Sequence, residues 1–218
     1  PGAPALMGNV CVWKPSKTAV YSAHLIMEIL KEAGLPDGVI NLVYCSGPTA
    51  ADVIFSHKDF AGIHFTGSTQ VFNNIWATIV KNIDKYRSYP RIVGETGGKD
   101  YIFADPTACP KEVATAIVRG AFEYQGQKCS AASRAYIPAN IWPEVENYVQ
   151  EDMANIKVGG VEDFTNFVNA VIDEASFMKL SNAIDAANKS ADAEVIIGGH
   201  YDMSAGYFIQ PTIIQAFK

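Results

Sequence analysis

Across residues 10–93 short apolar runs of strand length alternate with longer amphipathic runs of helical period, and no other feature restricts the fold of this chain more. Val10-Cys11-Val12-Trp13 reads as a buried strand, and Ser16 stands where it can cap a helix in which Val20, Ala23, Met27 and Leu30 recur until Gly34 ends it. Residues 39–43 form the next strand, 49–56 a short helix, 62–65 a strand, 68–83 a helix and 91–93 a strand. Repeated units of this kind make an α/β fold, a parallel sheet covered by helices on both faces. Such a sheet takes its ligand outside the carboxyl ends of its strands. Beyond residue 94 the organisation changes: strand 100–103, helix 111–124, strand 134–137, helices 143–156 and 173–189, then strand 194–197 and a Gly198-Gly199 turn. The expected division is therefore one domain over 1–94 and a second over 95–218.

Two loops at the strand ends suit a phosphate-bearing ligand. Lys14, in Trp13-Lys14-Pro15-Ser16, stands where an ammonium can reach sugar hydroxyls. In Phe65-Thr66-Gly67-Ser68-Thr69 a glycine admits close backbone approach, and the free amides of the helix that follows favour a pyrophosphate. Each sequence alone is an ordinary turn or cap; their place on one sheet edge is what joins them. There is no Gly-x-Gly-x-x-Gly fingerprint.

The second domain offers a nucleophile. Cys129 lies in Gln125-Gly126-Gln127-Lys128-Cys129-Ser130, a polar, glycine-containing turn, and Glu95 lies in Gly94-Glu95-Thr96-Gly97-Gly98-Lys99, 34 residues earlier. A thiolate adds readily to a carbonyl and leaves readily from a thioester, and a carboxylate can drive water onto the acyl group. The intervening length allows a helix and two turns to bring the two together.

Composition excludes more than it selects. With 49% hydrophobic residues a sizeable core can be buried, while a net charge of −6 and no basic stripe argue against nucleic acid. The four cysteines, Cys11, Cys45, Cys109 and Cys129, contain no Cys-x-x-Cys pair, so neither a zinc site nor a disulfide framework is expected; Cys11 and Cys45 sit in runs that read as strands. No apolar run reaches membrane-spanning length, and Pro1-Gly2-Ala3-Pro4 is not a signal or transit sequence.

The residues around Glu95 and Cys129 resemble the aldehyde dehydrogenase superfamily. Three stretches point to its glutamate-semialdehyde branch: Gly94-Glu95-Thr96-Gly97-Gly98-Lys99-Asp100, Phe122-Glu123-Tyr124-Gln125-Gly126-Gln127-Lys128-Cys129-Ser130-Ala131, and the run from Asp163-Phe164-Thr165-Asn166-Phe167 to Asp173. The resemblance implies a Rossmann-like NAD-binding domain followed by part of an α/β catalytic domain, and NAD-dependent oxidation of L-glutamate 5-semialdehyde, the open form of 1-pyrroline-5-carboxylate, to glutamate. It makes Cys129 the nucleophile, Glu95 the base for thioester hydrolysis and Ser130 a contact for the substrate carboxylate; Lys14, Ser16, Gly47, Thr66, Gly67 and Ser68 would hold NAD. Lys99 and Lys128 read as solvated lysines, and the aromatic and branched residues of 163–173 as core. The oxyanion asparagine is expected upstream of Pro1, the Glu-x-Phe motif and the substrate anchor loop past Lys218, and the dimerisation arm is expected outside this chain, so the chain is expected to be a central piece of a longer homo-oligomeric enzyme. That enzyme would lie in the mitochondrial matrix of a eukaryote and otherwise in the cytoplasm. Aldehyde oxidation of another specificity, and a non-catalytic piece, are the alternatives.

Overall fold

The computed structural model describes residues 1–217 of the 218; Lys218 lies outside the described residues. The chain divides into two compact units, Pro1–Glu95 and Thr96–Lys218.

The first unit runs α1 (Gly2–Leu6), β1 (Cys11–Trp13), a 3₁₀ turn (Lys17–Ala19) leading into α2 (Val20–Glu32), β2 (Ile40–Leu42), α3 (Gly47–Ile54), β3 (Gly62–Gly67), α4 (Thr69–Lys81), a 3₁₀ turn (Ile83–Lys85) and β4 (Arg91–Thr96), whose last residue opens the second unit. β1 and β2 pair in parallel, with Cys11 opposite Ile40 and Trp13 opposite Leu42. β3 pairs with β4. Among the described residues, then, the strands of this unit pair two by two and not as one continuous sheet. β1 and β2 are each only three residues long.

Capping explains where two of these helices begin. Ser46 Oγ accepts from the Thr49 amide at 3.1 Å, and Ser68 Oγ accepts from the Val71 amide at 3.3 Å. Each such bond contributes about 1 kcal/mol to its helix. Ser16 behaves differently from expectation: its hydroxyl lies 3.0 Å from Thr18 Oγ1 and caps nothing, because the chain enters α2 through the 3₁₀ turn. Cys45 also departs from expectation, since β2 ends at Leu42 and the thiol is exposed in the loop beyond it. The core gathers Phe55, Phe60 and Ile79, with Ile63, Ile75 and Ile92 packed around them. Phe55 and Phe60 meet edge to face at 5.3 Å. Tyr86 closes this core by donating its hydroxyl to the Phe55 carbonyl at 2.7 Å, and burial raises its phenol pKa.

The second unit opens with a βαβ motif. β5 (Asp100–Phe103) passes through α5 (Pro110–Phe122), a short 3₁₀ segment (Glu123–Gly126) and the Cys129 loop to β6 (Ala132–Tyr136), which pairs with β5 in parallel. Val113, Ala114, Ile117 and Val118 fall on one face of α5 and are buried against Val145 and Val149 of α6 (Trp142–Ala154). Burying a side chain of this size is worth about 1.5–3 kcal/mol, so this helix pair anchors the motif that carries the cysteine loop. α7 (Glu174–Lys189) follows, started by Asp173, whose carboxylate accepts from the Ser176 amide at 2.9 Å. Then come β7 (Ala193–Ile197), β8 (Tyr201–Asp202), β9 (Phe208–Ile209) and β10 (Ile213–Ala216). β7 pairs antiparallel with β10, and β8 with β9; β8, β9 and β10 are additions to the sequence-based expectation. Another correction concerns 163–173. Val168 and Val171 are buried, but Phe164 is 99% exposed, because Asp163 Oδ1 accepts from the Thr165 amide and the turn leaves the ring at its tip.

Candidate active site

The cysteine loop is built from an unusual piece of backbone. After α5 ends, Tyr124 (φ 55°, ψ 40°) and Gln125 (φ 57°, ψ 26°) are both left-handed, and Gly126 follows at φ 66°. A non-glycine residue in this region costs on the order of 1–3 kcal/mol, and such residues persist only where their surroundings hold them. Glycine is required at 126 for a second reason: a Cβ there would lie 2.7 Å from the Ala121 carbonyl oxygen.

Three sets of contacts hold the loop. Gln125 Nε2 donates to the Ala170 carbonyl at 3.2 Å, and Gln127 Oε1 accepts from the Ile172 amide at 3.0 Å. On the side of α5, the Glu123 carboxylate takes Lys128 Nζ at 2.7 Å and Arg119 at 3.0 Å. The Lys128 hydrogen bond, and after it the Arg119 one, hold the Glu123 carboxyl below its usual pKa. Lys128 is exposed, as expected of a solvated lysine, and also pairs with Glu123. The third contact is backbone on backbone: a Cβ on Gly98 would collide with the Cys129 carbonyl oxygen, so only glycine lets the chain pass there. Cys129 itself is exposed, as are Ser130 and Lys99. Beside the loop lies an open groove of about 520 Å³, lined by residues that include Tyr124, Gln125, Gln127, Asn169 and Ile172.

Glu95 is exposed on β4, the last residue of the first unit and three positions before Gly98 in the sequence. In the same unit, Lys14 follows β1 and turns its ammonium back onto the Pro15 carbonyl at 2.6 Å. Thr66 and Gly67 end β3, and Ser68 starts α4; all three are exposed, and no acidic residue occupies the first turn of that helix. Gly47 begins α3, with open space where its Cβ would be. These residues fit a dinucleotide in its chemistry: exposed helix amides at α4 for a pyrophosphate, and a lysine whose present partner is one neutral carbonyl.

Sequence reasoning did not single out the tethering roles of Gln125 and Gln127 or the Glu123 ion pairs. The Arg119–Glu123 pair carried a local signal, the i,i+4 spacing on a helix. The glutamine tethers carried none, since each partner lies 45 residues away in sequence.

A βαβ motif that presents a cysteine on the loop before its second strand, with a Gly-Glu-Thr-Gly-Gly run leading into its first, defines a class, and the chain belongs to the aldehyde dehydrogenase family, whose sequence model matches residues 2–218. Within that family it is 49% identical over 216 residues to the mitochondrial delta-1-pyrroline-5-carboxylate dehydrogenase of Dictyostelium discoideum, an alignment covering 98% of this chain and 39% of the relative. The corresponding enzyme of Emericella nidulans is 50% identical over 216 residues, with 98% and 38% covered. A crystal structure of the Delta-pyrroline-5-carboxylate dehydrogenase from Mycobacterium tuberculosis bound with NAD superposes with a TM-score of 0.95 at 47% identity, covering 100% of this chain and 41% of that one. The chain thus spans about two fifths of the length of these relatives. Its fold is the α/β fold of that family. No helix among the described residues is long and apolar enough to cross a membrane.

Proposed function

We propose that the protein carrying this chain oxidises L-glutamate 5-semialdehyde, the open form of 1-pyrroline-5-carboxylate, to glutamate with NAD, a step of proline breakdown. The observation that carries the reading is the likeness to 1-pyrroline-5-carboxylate dehydrogenases along nearly the whole chain, at 49% and 50% identity in the two relatives above, joined to a Cys129 loop held by hydrogen bonds on both sides. In this reading residues 1–94 hold NAD through Lys14, Ser16, Gly47, Thr66, Gly67 and Ser68, and residues 95–218 belong to the catalytic part.

The chemistry assigns each residue a task. The Cys129 thiolate adds to the aldehyde carbon, and its backbone amide donates to the oxygen that becomes negative. NAD, held by the residues named above, would supply the hydride acceptor there, and loss of hydride from the adduct would leave an acyl group in thioester linkage to Cys129. Glu95 takes a proton from water, the resulting hydroxide adds to the thioester carbonyl, and glutamate departs as the thiolate returns. Ser130, next to the nucleophile, meets the carboxylate of the substrate. Since both relatives are named mitochondrial, the same compartment, and there the matrix, is the proposed location in a eukaryote; a homo-oligomer is the proposed working form.

The test compares NADH formation by the full-length protein from 1-pyrroline-5-carboxylate and from propanal. A clear preference for the former is expected, because fixed polar groups reject analogues that leave them unpaired. Equal kcat/KM for the two would assign the protein to aldehyde oxidation of broader scope.

A further inference from the structure

We propose that Gln125 and Gln127 are positioning residues for Cys129, and that together they clasp the nucleophile loop to the strap formed by residues 169–172. The proposal rests on the assignment of Cys129 as nucleophile and adds the device that sets where its sulfur sits.

Three observations converge on it. First, the backbone at Tyr124 and Gln125 is left-handed, a conformation that large side chains leave unless something holds them there. Second, the two glutamines flank the glycine of the turn and reach across it to the same short segment, one donating to the Ala170 carbonyl at 3.2 Å and the other accepting from the Ile172 amide at 3.0 Å. Third, that segment is itself firmly placed: Val171 is buried and donates its amide to the Tyr207 carbonyl at 2.8 Å, and Asn169 Nδ2 donates to the Gly159 carbonyl at 2.9 Å. The strap therefore acts as a fixed rail. The polarity of the two bonds is opposite, amide to carbonyl at Gln125 and carbonyl to amide at Gln127, so the pair matches the alternating donors and acceptors of the rail and fixes the loop in one register. Gln127 stands two residues before the thiol, where a small rotation of the loop displaces the sulfur.

The chemistry needs this more than the fold does. The core of this unit lies between α5 and α6, on side chains other than the two glutamines. What the clasp controls is the exposed end of the loop, where Cys129 must meet a carbonyl carbon in a narrow range of approach.

The experiment uses the full-length enzyme with Gln127→Met, which keeps the length of the side chain and removes the acceptor, and Gln127→Glu, which keeps an acceptor; assays at high ionic strength screen the added charge. Expected for Gln127→Met are a kcat lowered by about 10–100-fold with KM for NAD unchanged, and a slower reaction of Cys129 with iodoacetamide, read by mass spectrometry of the Cys129 peptide. Gln127→Glu is expected to recover most of both. If Gln127→Met lowers the melting temperature while kcat and the Cys129 alkylation rate stay at the wild-type values, the clasp is structural only and the proposal is wrong. Should Gln127→Met not fold, Gln125→Met breaks the other half of the clasp: a fall in kcat and in the alkylation rate supports the proposal, and wild-type values of both overturn it. The alkylation arm is independent of turnover: if Cys129→Ala keeps full dehydrogenase activity, the nucleophile assignment fails, and the alkylation rates still decide whether the glutamines set the position of this thiol.

Discussion

Cys129 and Glu95 act at different stages of the proposed reaction, and that difference can be observed. The thiolate must be present before hydride can leave, whereas the carboxylate is wanted only when water attacks the thioester. In the full-length enzyme Cys129→Ala should therefore abolish both the first turnover and the steady state. Glu95→Gln should give a burst of NADH close to one per active site, followed by a slow phase reduced by roughly 10²–10⁴-fold, the usual loss for a missing general base. Rapid-mixing absorbance measurements separate the two phases. Absence of a burst in Glu95→Gln would mean that the carboxylate also activates the thiol, and an undiminished steady state would remove it from the mechanism. Ser130 and the lysines contribute differently: Ser130 is exposed next to the thiol, and Lys128 is engaged by Glu123.

At the scale of elements, what could be read in the sequence was what local chemistry dictates. Ser68, in a run that reads as a turn or cap, does cap the helix it precedes, and the helix read over 111–124 is α5; Ser46 and Asp173 also cap their helices, roles the sequence reading does not assign them. Cys129 and Glu95 stood out because the chemistry of each is written in its own residue type and turn. Elements whose existence depends on distant partners were not readable: β8 and β9 are two residues each and exist by pairing with one another, and β10 is defined by its ladder to β7. Ser16 failed as a cap because a 3₁₀ turn, which has no strong sequence signature, intervenes. The left-handed Tyr124 and Gln125 were hidden for the same reason, since neither residue type favours that region. The Glu123 pairing lends itself to direct measurement. Because the Lys128 and Arg119 hydrogen bonds stabilise the ionised carboxylate, the folded pKa lies below the unfolded one. The pairing is thus fully present above the ordinary glutamate pKa of about 4.3 and is lost as pH falls through the lowered value. An NMR titration of the Glu123 side-chain carboxyl should have its midpoint below that ordinary value in the wild type and move up in Lys128→Met. A midpoint that does not respond to Lys128→Met would show the ion pair to be absent in solution.

For the molecule as a whole, the proposed reaction distributes its requirements along the chain. The residues proposed to hold the cofactor and Glu95 belong to the unit Pro1–Glu95, the proposed nucleophile belongs to Thr96–Lys218, and both together span about two fifths of the length of the relatives. Hydride transfer demands an adduct, a nicotinamide and a stabilised oxyanion held in one arrangement, and orientation alone is worth many orders of magnitude in rate. In the proposed reading the rest of that machinery, the oxyanion asparagine and the Glu-x-Phe motif that the resemblance implies, is supplied by the full-length protein. Several large apolar groups are also open to solvent here; on the β5–β6 pair Tyr101 is 64% and Phe103 77% exposed, and both rings pack against Tyr136. The purified 218-residue chain, given NAD and 1-pyrroline-5-carboxylate, is therefore expected to show no turnover, with NADH absorbance at the level of a protein-free control, while the full-length protein turns over under the same conditions. Steady NADH production by the isolated chain, abolished in its Cys129→Ala variant, would show instead that these residues already contain everything the chemistry requires.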